Sequence, residues 1–150
     1  MINKALKKVF GTRNERMVKR YLKIVDQVSA QKDAMAALTD PQLRAKTDEF
    51  RQRIADGEQA QDMIPEVFAV AREAMDRSVG IRNIFNPIHG FDPDRLPADA
   101  RQMFDAVQAE IDATEDRQPK DDLLGCLEPV PAWKLVDIPP ALYAAVRALE

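Results

Sequence analysis

Leu38-Thr39-Asp40-Pro41-Gln42-Leu43-Arg44-Ala45-Lys46-Thr47-Asp48-Glu49-Phe50-Arg51 carries its own start signal for a helix. The Thr39 hydroxyl can accept a bond from a first-turn N–H, and Pro41 follows where the N–H it lacks would have no partner anyway. Gly57 supplies the stop, because glycine enters the left-handed conformation that closes a helix without steric cost. Leu43, Thr47, Phe50 and Ile54 recur at helical spacing and are expected on the inner side. The next stretch follows the same logic. Pro65 opens a helix whose Val67, Phe68, Val70, Ala71, Ala74 and Met75 predict a broad buried face, with Gly80 as terminator.

Toward the N-terminus, Thr12-Arg13-Asn14-Glu15 has the spacing of a capping box, so a helix is predicted from there to about Gln31. Met17, Val18, Tyr21, Leu22, Val25 and Val28 make its apolar stripe, and Glu15 stands four residues before Lys19 in the favourable orientation. Before Gly11, Ile2, Ala5, Leu6, Val9 and Phe10 fall on one side of a shorter amphipathic helix, while Lys4, Lys7 and Lys8 project elsewhere. Toward the C-terminus, Pro87, Pro93, Pro97, Pro119 and Pro129 break the chain into irregular segments wrapped around one helix. That helix spans about Ala98 to Thr114, with Ala100, Met103, Phe104, Val107 and Ile111 facing inward. Asp116 to Asp122 reads as a polar loop, whereas Leu123, Leu124, Leu127, Val130, Trp133, Leu135 and Val136 are expected to pack back on the helices. Pro139 and Pro140 open a last helix with Leu142, Tyr143, Val146 and Leu149, expected to be still running at Glu150. No segment alternates like a strand, and any strand pairing is expected near Trp133 to Val136. The fold class is therefore all-α: an irregular helical domain with an N-terminal amphipathic helix and Pro-rich connecting segments. Three parts are expected, basic helices at 1–31, a helical scaffold at 32–83, and a helix with irregular chain at 84–150.

The charge is as uneven as the punctuation. Met1 to Ile24 hold eight Lys and Arg against one acid, a net of +7, and the remaining residues hold 14 against 24, a net of −10. Such a dipole points to an anionic partner for the N-terminus. The longest apolar run, Ala141 to Val146, is six residues, where a bilayer span needs about 20. No apolar segment with a cleavage site follows the N-terminal lysines, so the chain is expected to be cytosolic and at most peripheral to membranes. Cys126 is the single cysteine and His89 the single histidine, so neither an internal disulfide nor a Cys/His zinc site can be assembled. None of the five glycines, Gly11, Gly57, Gly80, Gly90 and Gly125, belongs to a phosphate loop ending in Gly-Lys-Ser/Thr. Ser29 and Ser78 lack the context of an activated nucleophile, and Asp48-Glu49 and Asp121-Asp122 read as solvated charges. No catalytic, metal or cofactor site is expected in these residues.

Three blocks together resemble one family. Ala5-Leu6-Lys7-Lys8-Val9-Phe10-Gly11-Thr12-Arg13-Asn14-Glu15-Arg16 is similar to the opening of the SecA preprotein translocase ATPase. Leu38 to Arg51 resembles that family's Leu-Ser-Asp-x-x-Leu-x-x-Lys-Thr-x-x-Phe helix, and Ile64-Pro65-Glu66-Val67-Phe68-Ala69-Val70-Ala71-Arg72-Glu73-Ala74 its Pro-Glu-Ala-Phe-Ala-x-x-Arg-Glu-Ala segment. The resemblance covers about residues 1–83 and stops after Gly80-Ile81-Arg82-Asn83. There the family proceeds to a Phe-x-x-Gln adenine motif and a phosphate loop, and here Ile84 to Glu150 follow instead. The simplest expectation is an insertion in an N-terminal piece of a longer translocase; the other is a stand-alone protein that kept the region and lost the motor.

The resemblance implies that the N-terminal helix associates with acidic phospholipid and the protein-export channel on the inner face of the cell membrane. It further implies ribosome docking and homodimer contacts for the same basic region. The residues that carry this over are Ile2, Lys4, Leu6, Lys7, Lys8, Val9, Phe10, Arg13, Arg16, Lys19, Arg20 and Lys23. Phe50 and Phe68 would be scaffold, packing on the remaining motor domain. ATP and magnesium would belong only to a full-length parent, a protein-translocating ATPase. The alternative is a helical ribosome- or nucleic-acid-binding module that uses the same cations, although only Phe10 and Tyr21 are available there for base stacking.

Overall fold

The computed structural model describes residues 12–119 and 128–149. Its first helix, α1 (Arg13–Ala30), starts at the capping box expected from the sequence: Glu15 N donates to Thr12 Oγ1 at 3.1 Å, and Thr12 N donates to Glu15 Oε2 at 2.6 Å. A short α2 (Lys32–Ala36), not anticipated, turns the chain and buries Met35. Then comes α3 (Asp40–Ala55), where Thr39 forms a second capping box with Gln42, whose side chain accepts the Thr39 N–H at 2.9 Å. Gly57, with φ +97°, provides the left-handed residue after that helix. Two more long helices, α4 (Ile64–Met75) and α5 (Ala98–Ala113), and the shorter α6 (Pro140–Arg147) complete the all-α fold.

Between α4 and α5 the backbone changes pitch. Asp76–Gly80 forms a π-helical turn, Ile81–Phe85 a 3-10 turn, and Pro87–His89 and Pro93–Arg95 two further 3-10 turns. The last helix does not run on as expected: Ala148 N donates to Ala144 O and Leu149 N to Val146 O, closing α6 at Arg147. Among the described residues there is no strand. The nearest thing is one antiparallel bridge, Arg117 with Val130, while the Trp133 region expected to pair is a 3-10 turn, Ala132–Lys134.

Apolar side chains gather in two separate clusters. Met35, Leu43, Phe50, Met63, Ala69 and Val70 form the first, beneath α1 to α4. The second joins Ile81, Phe85 and Leu96 to the inner faces of α5 and α6, with Leu142 and Tyr143 fully buried and the Phe85 and Phe104 rings stacked at 4.6 Å. Ala100, Phe104, Val107 and Ile111 are buried as their spacing predicts, and Met103 is half-buried. Val136 is buried and Val130, Trp133 and Leu135 half-buried, in line with the expected packing; Leu123, Leu124 and Leu127 lie outside the described residues, as does the helix expected at Ile2 to Phe10.

Two inner faces are narrower than expected. On α3 the only buried apolar residues are Leu43 and Phe50; Thr47 and Ile54 are exposed. On α4 the covered positions are Ala69, Val70 and Glu73, and Val67, Phe68, Ala71 and Met75 are exposed, Phe68 at 60%. A groove of about 670 Å³ lies between the two helices, lined by Leu43, Phe50, Ile54, Val67, Val70 and Ala74. Phe68, read from the sequence as scaffold core, instead faces the open side of α1.

Candidate docking surface and the charge network behind it

No residue of α1 is buried, although its sequence is the most amphipathic among the described helices. At 3.6 residues per turn, Arg13, Arg16, Lys19, Arg20 and Lys23 fall within about a third of the helix circumference, and Met17, Val18, Tyr21, Leu22, Val25 and Val28 occupy most of the opposite half. All five cations are exposed, and none is paired with an acid among the described residues. Residues that usually sit in a helix–helix seam are open too: Val18, Tyr21, Leu22 and Val25 are each more than half exposed. Only Ile24 and Val28 are half-buried, against α4.

The sequence reading of a stripe on α1 is thus right in its residues, and the structure leaves that stripe largely uncovered. Tyr21, Ile24, Val25 and Val28 with Ile64 and Phe68 of α4 line an apolar hollow of about 430 Å³, and Arg72 stands at its edge, its Nη2 3.5 Å from Val28 O. The described candidate residues, Arg13, Arg16, Lys19, Arg20 and Lys23, lie together on one face; Ile2, Lys4, Leu6, Lys7, Lys8, Val9 and Phe10 lie outside the described residues.

Behind this surface is a site that the sequence reading missed. Asp40, in the first turn of α3, is 6% exposed, and its carboxylate is surrounded by donors. Oδ1 accepts from Arg77 Nη1 at 2.9 Å; Oδ2 accepts from Arg82 Nη2 at 2.7 Å, Tyr143 Oη at 3.0 Å and Ile138 N at 3.1 Å. Arg77 also donates from Nε to Glu73 at 2.7 Å and from Nη2 to the carbonyls of Met35 and Ala36, and its guanidinium lies over the Tyr143 ring, 4.6 Å from its centre. Arg82 Nη1 donates to the carbonyls of Trp133 and Val136. At the rim, Arg147 binds Glu73 at 2.8 Å and Asp76 at 2.6 Å.

Asp40 and Glu73 balance Arg77 and Arg82, so four buried charges sum to zero, and among the described residues no buried side-chain polar atom lacks a partner. Burial, outweighing the neighbouring Arg82, holds the Tyr143 hydroxyl well above the usual tyrosine range, so it stays protonated and donates to Asp40. The one legible signal was the Glu73 to Arg77 spacing of four residues; the contacts to Ile138 and Tyr143 span about a hundred residues and leave no local trace.

A second charge group closes the far end of α3 and α4. Arg53 reaches Glu58 at 2.8 Å and Glu66 at 2.5 Å, and Lys46 joins Glu49 at 2.8 Å. Burial pushes the Glu66 carboxyl up, but the hydrogen bonds from Arg53 and Lys46 outweigh it and hold the group below the usual carboxylate range. Among the described residues no three His, Cys, Asp or Glu side chains are placed to hold a metal ion, and the acids in both clusters are paired with Arg or Lys. No described helix is long and apolar enough to cross a membrane.

Comparison with known proteins agrees with the block reading. The protein translocase subunit SecA of Dechloromonas aromatica (strain RCB) is 55% identical over 83 residues, which are 55% of this chain and 9% of that protein. The SecA subunit of Pseudomonas savastanoi pv. phaseolicola (strain 1448A / Race 6) is 58% identical over 78 residues, 52% of this chain and 8% of that protein, and that of Coxiella burnetii (strain RSA 493 / Nine Mile phase I) is 49% identical over 83. The chain thus spans about a tenth of the length of the curated relatives it matches. No solved structure matches it. The family model for the SecA DEAD-like domain matches residues 6–90, more than half of the chain, and the chain belongs to that family.

Proposed function

We propose that this chain is the membrane- and channel-docking N-terminal region of a SecA-like protein-export motor, acting at the inner face of the cell membrane, without a nucleotide site of its own. ATP and magnesium are assigned to the remaining motor of a longer parent. The observation that carries this reading is α1: five cations without acidic partners among the described residues on one face, and an apolar stripe left open on the other. A helix built only for its own fold would cover that stripe. The two faces point in nearly opposite directions, so they meet different surfaces. The cationic face suits an anionic leaflet, where each Lys or Arg near the surface contributes about 1 kcal/mol. The stripe, continued by Phe68, suits a protein wall such as the export channel. Ile2 to Phe10 add apolar residues for insertion and three further lysines.

The same cations suit ribosomal RNA through counterion release, which makes the ribosome the competing reading. Flotation with anionic vesicles against filter binding to ribosomal RNA separates the two. Lys4, Lys7 and Lys8 changed together to Glu should abolish flotation, and Leu6→Ser with Val9→Ser should weaken it at unchanged charge while leaving RNA retention as it was. If the double serine variant floats as well as the parent, nothing apolar inserts and the membrane reading is wrong.

A further inference from the structure

The two apolar clusters share no residue, and what lies between them is charge. Asp40, Glu73, Arg77 and Arg82 fill the boundary, with the Tyr143 hydroxyl and the main chain of Trp133, Val136 and Ile138 supplied by the second cluster. At its exposed edge Arg44 meets Asp137 at 2.7 Å, a contact of the same ionic kind. The backbone joining the two halves is the π-helical turn Asp76–Gly80 followed by the 3-10 turn Ile81–Phe85. Within Asp76–Gly80 only Arg77 is buried, and Val79 is 63% exposed. Irregular helical pitch of this kind commonly marks a hinge.

From these observations we propose that the described residues of the second half, 81–119 and 128–149, are held against α3 and α4 by a releasable ionic latch centred on Asp40, and that the two halves swing apart about Asp76–Gly80 as rigid bodies. The physical reason is the chemistry of the seam. Separating two apolar faces leaves them in water with nothing gained, whereas separating paired charges returns each of them to hydration, which offsets much of the lost attraction. Polar seams between subunits of one chain behave as transient interfaces, and this seam is therefore the plane along which the molecule opens without melting either cluster. Opening uncovers one end of the groove between α3 and α4, because Arg82 and Lys134 from the second half line that end together with Asp40 and Arg77. A partner that binds the uncovered end of the groove would shift the population toward the open state.

Distances between spin labels test this on the whole chain, with labels at exposed Gln52 of α3 and Glu110 of α5 in a Cys126→Ser background. The parent should show one main distance with an open fraction below about a tenth. Asp40→Asn keeps the shape and removes the charge on which Arg77 and Arg82 converge; it should raise the longer-distance population about tenfold with helical dichroism unchanged. Tyr143→Phe removes one hydroxyl and should raise it by a smaller factor, about threefold, in a protein that stays folded. A single parent-like distance in both variants would overturn the latch. So would a gain in long distances that appears only together with loss of helix, since that is unfolding rather than hinging.

Discussion

Arginine does opposite work in α1 and at the Asp40 centre. Arg77 and Arg82 are almost fully buried, each making several hydrogen bonds to carboxylates and carbonyls. Arg13, Arg16 and Arg20 are exposed on α1 and have no acidic partner among the described residues. Burial decides the difference. A guanidinium taken out of water must be neutralised and fully hydrogen-bonded, so the chain around Arg77 is organised to meet it; a guanidinium in water is free to meet something else. The first kind fixes the fold and the second is available for binding, and counting charges along the sequence does not separate them.

The largest effect should come from breaking the buried side of this contrast. Asp40→Ala leaves two buried guanidinium groups short of a partner and should lower stability by about 3–5 kcal/mol in urea unfolding; Lys19→Ala and Lys23→Ala on α1 should each change it by less than about 0.5 kcal/mol. A loss at Lys19 as large as at Asp40 would erase the distinction. Next come the two phenylalanines that the sequence reading treated alike. Phe50→Ala should cost about 3 kcal/mol, the low end for a buried ring because Phe50 borders the open groove. Phe68→Ala, at a residue 60% exposed, should cost less than about 1 kcal/mol. Equal losses would mean that α1 seals the surface over Phe68 more tightly than its exposure indicates.

Smaller still are the caps. Thr39→Ala should cost about 1 kcal/mol, because the first turn of α3 also positions Asp40, and Thr12→Ala no more than that, because α1 has little packing to lose. The smallest effect is the acid limb of stability. The folded Glu66 carboxyl is held below its ordinary value of 4.5, so its contribution is present above that value and disappears as the pH falls through the folded one. With a side chain 22% exposed in a cluster open to solvent, it should amount to about 0.5 kcal/mol, and Glu66→Gln should remove that part of the slope below pH 4.5 while leaving the pH 7 to 8 plateau flat.

What could be read from the sequence follows the range of the interactions. Local signals were enough for the helices: Thr12 with Glu15, Thr39 with Pro41, Gly57, and the spacing of Ala100, Phe104, Val107 and Ile111 each involve residues within a turn or two. The buried centre could not be read that way, because Asp40 finds Tyr143 and Ile138 only after the chain has folded. Periodicity also overstated burial. It marks which residues share a face, and for Thr47, Ile54, Val67 and Phe68 that face opens on a groove or hollow rather than on core. The five α1 cations were found because a cluster of like charges is visible in one dimension; that they would lie opposite the apolar stripe was implicit in the helical period, and that the stripe would stay uncovered was not.

The central claim is that the cationic face of α1 meets an anionic surface, and its most direct test is the partition of the whole chain onto vesicles as anionic lipid is varied, for the parent and for Arg16→Gln, Lys19→Gln and Lys23→Gln combined. At about 1 kcal/mol for each residue near the leaflet, the triple variant should bind on the order of 100-fold more weakly to anionic vesicles, with helix content and stability unchanged, and neither protein should bind neutral vesicles measurably. Equal partition of parent and variant at every lipid composition would contradict the account.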